Sequence, residues 1–194
     1  MKKTTHLLIL FTALSFPIFA QNFDLSQFDQ VIEMVSQGNQ KSSAKVFDQA
    51  LTGLNDEVGD SNTAFAPKIK NQISIATALL PSLLKENTDL GTLKKVVLSL
   101  KTFMAAHRLQ KMVKDNNLVG QGANITKNLN LLKLGLDAHT TSADAVQLAK
   151  VNKLLSKVNT KIPKLAESEG AANAASKLIQ KKLGSTLNII SELI

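Results

Sequence analysis

The sequence predicts an all-α protein: a single compact bundle of about six to eight helices over residues 21–194, behind a cleaved signal peptide at 1–20. Apolar residues recur at spacings of three and four through nearly the whole chain, which is the helical period. Almost no stretch alternates with period two, so a sheet is not expected. No repeat of solenoid length is present either. Residues 90–100 and 183–193 match loosely, as two helix starts under the same capping rules will.

The N-terminus reads as an address. Lys2 and Lys3 precede an uncharged run of 14 residues, Leu7 to Ala20. As a helix that run spans roughly 21 Å, short of a bilayer core of about 30 Å. Pro17 would disrupt a spanning helix but suits an extended segment before a cut site. Basic start, apolar run, helix breaker and small Ala20 follow the order of a secretory signal peptide. Cleavage is expected after Ala20, although Ile18 stands where a small residue is preferred. The expected destination is export, periplasmic or secreted. With no Cys in the chain, lipid attachment through a cysteine and disulfide stapling are both excluded.

Behind the leader the helices follow in order. Leu25, Phe28, Ile32 and Val35 share one face, ended by Gly38. Ser42 or Ser43 is expected to cap a second helix with Val46, Phe47, Ala50 and Leu51 inward and Gly53 near its end. Residues 55–67 read as the longest loop. The stripe Ile69, Ile73, Ala76, Leu80 and Leu83 runs through Pro81, predicting one kinked helix unless that proline ends it. Residues 92–117 carry apolar stripes on two sides, Leu93 to Met104 and Leu98 to Met112, as a central bundle helix does. A break at 118–124 and a shorter helix to about Asp137 follow. Ser142 opens the next helix, with Leu148, Val151, Leu155, Val158 and Ile162 inward. Pro163 is expected to start another, whose small residues at 169–176 permit close backbone approach. Gly184 stops it, and Ser185 caps a final short helix, Leu187 to Ile194.

Composition narrows the function. There is no Trp and no Tyr, so aromatic platforms for sugars or bases are scarce. Export and the missing aromatics weigh against nucleic acid. Without Lys2 and Lys3 the balance is 21 basic against 15 acidic side chains, a net +6. Residues 21–93 carry net −4 and residues 94–182 net +11. Such asymmetry points to a polyanion, to an anionic membrane, or to mutual packing of the two halves. Lys150, Lys153, Lys157 and Lys161 fall within about 80° of one another, opposite the apolar stripe of their helix. No acid lies between Asp144 and Glu167 to pair with them one turn away. Lys94, Lys101 and Arg108, seven apart, form a second basic ridge. These seven are the candidate anion-binding residues. An ordinary solvated face is the bland reading of the same pattern.

Catalytic chemistry is hard to find. His107 prolongs the Leu93–Met104 stripe and reads as a packed core histidine. His139 lies near Asp137 and Asp144, but across a helix break and with too few nitrogen or sulfur donors for a strong metal site. There is no G-x-S-x-G elbow. Gly120 and Gly122 lack the third glycine and preceding strand of a nucleotide loop. Glu167 and Glu169 complement a positive helix start rather than share a cleft. The expectation is a non-enzymatic binding or structural element of the cell envelope, with no catalytic residue, metal or cofactor. Its basic half would face an anionic membrane surface or envelope polymer. One alternative is an interaction module that pairs with itself or a partner helix through a stripe such as Leu187–Ile194. The other is an enzyme of unfamiliar type.

Overall fold

The computed structural model describes residues 23–139 and 144–194; the expected leader at 1–20 and helix start at Ser142 lie outside the described residues. The helices are α1 (Ser26–Ser36), α2 (Gln40–Val58), α3 (Ala66–Thr77), α4 (Leu80–Leu84), α5 (Leu90–Lys114), α6 (Gly122–His139), α7 (Ala145–Asn159) and α8 (Glu169–Leu193), with a 3-10 segment at Ile162–Ala166. Among the described residues, seven are of 11 to 25 residues and α4 is a five-residue turn. Their apolar faces meet in one continuous core, so the expected all-α, single-domain bundle is what is observed.

α5 lies at the centre, against α1, α3, α6 and α8. From Met104 to Leu109 every residue is buried, as the stripes on two sides predict for a helix walled in by neighbours. Its start is fixed by Asp89, whose carboxylate accepts the Thr92 N–H at 2.6 Å. α2 packs on α1, α3 and α4. Phe28 and Phe47, both fully buried, meet edge to face at 6.0 Å, and Phe23 meets Phe28 at 5.8 Å. α7 rests against α8 and only lightly on α6, which leaves a groove between α6 and α7. Lys68 on α3 donates to the backbone oxygen of Ile194 and draws the end of α8 back toward α3.

Gly38 ends α1 as expected. It sits at φ +82°, with its N–H on Val35 O and the Asn39 N–H on Met34 O, the paired bonds of a left-handed C-terminal turn. The same bond pattern closes α4 at Glu86 (φ 58°) and α5 at Asn116 (φ 50°).

Several element boundaries depart from the pattern-based expectation. α2 starts at Gln40, so neither Ser42 nor Ser43 caps it; Ser43 is fully buried inside the helix and bonds back to Gln40 O. Gly53 does not end that helix, which continues to Val58. Its missing side chain instead seats the Phe23 ring, because a Cβ there would lie 2.6 Å from Phe23 Cδ2. The expected loop at 55–67 shrinks accordingly to 59–65. The chain also breaks between Thr77 and Leu80, giving two helices rather than one kinked helix. Pro81 falls in the first turn of α4, where its missing N–H costs no helical bond. Pro163 opens the 3-10 segment, and α8 begins separately at Glu169 behind Ser168. Finally, α8 runs unbroken through Gly184 and Ser185. Its interior glycine is tolerated because the helix is held by packing on both sides of it, with Ile179, Leu183, Leu187 and Ile190 all buried.

Candidate functional site: the lysine face of α7

α7 sets an apolar seam against a basic side. Val151, Leu155 and Val158 are buried in the seam, and Leu148 is half-buried beside them. Opposite that seam Lys150, Lys153 and Lys157 are exposed, and Lys161 is half-buried where the helix gives way to the 3-10 segment. None of the four forms an ion pair with a described residue. Three cations therefore stand on one side of α7 and a fourth just beyond its end, with no ion-pair partner among the described residues, an arrangement suited to multiple phosphate or carboxylate groups.

The second predicted ridge has a different fate. Lys94 is exposed near the start of α5. Lys101 reaches Asp29 on α1, with Nζ 2.7 Å from a carboxylate oxygen. Arg108 is buried, its Nε 2.7 Å and its Nη2 2.6 Å from the two Glu57 oxygens, and Nη2 also donates to Phe23 O. The spacing of seven does align these side chains on one side of α5. That side faces α1 and α2, whose acids take two of the three charges. For Lys101 and Arg108 the charge asymmetry of the sequence is thus resolved as mutual packing of the two halves, so neither is free to hold an external anion.

The Arg108 site also organises the chain entry. Glu57 Oε2 accepts the Phe23 N–H at 2.8 Å while Arg108 donates to Phe23 O, so the pair holds both backbone polar groups of one residue. Sequence reasoning missed Glu57, which reads as a loop acid. The overlooked signal is that Arg108 sits among the apolar residues Ala105, Ala106 and Leu109, where an unpaired guanidinium is costly.

His107 is a core residue, as expected. It is 1% exposed and shares a 2.7 Å hydrogen bond with Thr63 Oγ1 through Nδ1. Burial pushes its pKa below the ordinary 6.5; Glu57 opposes this, while Lys111 and Arg108 add to it. The folded state therefore resists protonating this imidazole more than the unfolded state does. The associated stability is complete above about pH 6.5 and is lost as pH falls from there through the lowered folded value. Denaturant midpoints for the parent are expected to drop between pH 7 and 5, and His107→Gln is expected to flatten that drop; equal slopes would disprove the assignment. The Asp24 carboxyl is held below the usual 3.8 by the Ser26 N–H and hydroxyl, and that of Asp89 by Thr92, so both titrate in a separate, more acidic window.

The side chain of His139, and with it its relation to Asp137 and Asp144, lies outside the described residues. Among the described residues no helix is long and apolar enough to cross a membrane. The stripe Leu187–Ile194 is not an open face: Leu187 and Ile190 are buried, and Ile189, Leu193 and Ile194 pack against the core.

In comparisons with known proteins, no family model, curated sequence or solved structure matches this chain.

Proposed function

We propose that the chain is exported after cleavage behind Ala20 and serves, without catalysing a reaction, as a binding or structural element of the cell envelope. The contact is the α7 side bearing Lys150, Lys153 and Lys157, with Lys161 just past its end, laid against an anionic surface. The observation that carries this reading is that these four cations have no ion-pair partner among the described residues, whereas Lys101 and Arg108 do. Export rests on the basic-apolar-proline-small order of residues 2–20. The packing of Leu187–Ile194 against the core favours this reading over pairing through that stripe.

Co-sedimentation with phosphatidylglycerol-containing vesicles or a soluble polyanion is expected at low salt. It should vanish near 0.5 M salt, where the Debye length shrinks to about 4–5 Å. Replacing Lys150, Lys153, Lys157 and Lys161 by Gln is expected to weaken binding by about a hundredfold or more, since each cation near an anionic surface contributes about 1 kcal/mol. Equal association with neutral and anionic probes, or none with either, refutes the reading.

A further inference from the structure

Beside the lysines, on the α6 flank of α7, lies a groove of 670 Å³. Its α7 bank is formed by Asn152, Ser156 and Asn159, and its α6 bank by Asn130 and Lys133. All five are exposed. None of their side chains makes a hydrogen bond to a described residue, although other exposed polar residues, such as Asn124 and Thr126 on α6, do. The base is apolar: Leu129 and Leu155 are buried at 3% and 5% exposure.

We infer that this groove is a subsite for an acidic polysaccharide chain. The inference rests on the reading of α7 as an anion-facing helix and names the ligand that would lie there. Carboxamides present a donor and an acceptor side by side, which matches neighbouring sugar hydroxyls. Asn152, Ser156 and Asn159 fall at spacings of four and three, hence on one side of the helix. Asn152 and Asn159 are two turns apart, about 10.5 Å along the axis, comparable with two linked pyranose rings. Leu129 and Leu155 offer the ring C–H groups an apolar floor, the role that Trp or Tyr often takes and that neither can take in this chain. Lys133 on one bank and the α7 lysines beyond the other supply charge for the acid groups. A lipid tail finds only two leucines under a polar rim, and a bare polyphosphate has no use for the amides. A polymer suits shallow contacts such as these, because linked weak sites add through effective concentration.

The test compares three probes by titration calorimetry: polygalacturonate (acid and hydroxyls), poly-L-glutamate (acid and peptide groups) and dextran (hydroxyls alone). The parent is expected to bind polygalacturonate most tightly. Asn152→Ala with Asn159→Ala is expected to weaken polygalacturonate by about tenfold, the loss for two unmade hydrogen bonds, and to leave poly-L-glutamate unchanged. Both positions are exposed, so an unchanged melting temperature serves as the folding control. The groove assignment is overturned if the parent fails to bind polygalacturonate, if the double variant binds it like the parent, or if poly-L-glutamate loses affinity equally. Loss of the four lysines without effect on either polyanion would instead overturn the underlying reading of α7.

Discussion

Arg108→Met is expected to destabilise the bundle by about 3–5 kcal/mol, the usual cost of removing one partner from a buried ion pair. The two side chains are only 7% and 13% exposed, and the Glu57 carboxylate would be left without its cation in that setting. The Phe23 carbonyl would lose its donor as well. Urea unfolding of the folded parent and variant measures the loss. Glu57→Leu combined with Arg108→Met is expected to recover most of it, because deleting both charges removes the desolvation penalty along with the attraction. A single-variant cost below about 1 kcal/mol would place the pair with surface salt bridges, whose worth is of that order. Any Arg108 variant that still folds is also expected to bind polyanions like the parent, since its charge is already committed to Glu57.

Gly135→Ala is expected to cost about 2–3 kcal/mol, in the range for overpacking a core. Helix propensity alone predicts the opposite sign, a gain of about 1 kcal/mol for alanine inside a helix. Packing decides. A Cβ on Gly135 would lie 1.7 Å from Thr102 Oγ1, 2.4 Å from its Cγ2 and 2.6 Å from its Cβ. Thr102 is fully buried and its hydroxyl is bonded to Leu98 O, so it has nowhere to turn. α5 and α6 would have to separate. Thr102→Ala is expected to rescue only part of the loss because its own Cβ remains too close, whereas Thr102→Gly clears the space. Gly184→Ala is the control: its Cβ would meet Val113 Cγ1 at an ordinary 3.7 Å, so there the propensity gain is expected to appear in thermal melts.

These two glycines show what a single sequence can and cannot disclose. Period and apolar spacing identify α1, α5, α6 and α7 because their buried sides repeat every three or four residues. Boundaries are less legible. Gly53, Gly135 and Gly184 sit inside helices where backbone approach or packing on either side overrides local preference. Neither the kinked helix expected through Pro81 nor the long helix expected from Pro163 is found: each proline lies in the first turn of a five-residue segment, and which turn it begins depends on neighbours far along the chain. The same limit governs charge. Lys101 and Arg108 look like the α7 lysines in sequence, and only the placement of Asp29 and Glu57 tells committed cations from open ones. The groove amides carry no sequence signal, because asparagines on two different helices acquire meaning only when α6 and α7 lie side by side.

A helix with one wet side can roll or slide under load while keeping its greasy side covered. From Met104 to Leu109, α5 has no such freedom: every rotation would drive something out of place. Deformation is thereby steered outward, toward α7, which leans on few neighbours and holds Val146 83% exposed. The walled-in axle and the lightly buttressed flank are two results of one arrangement.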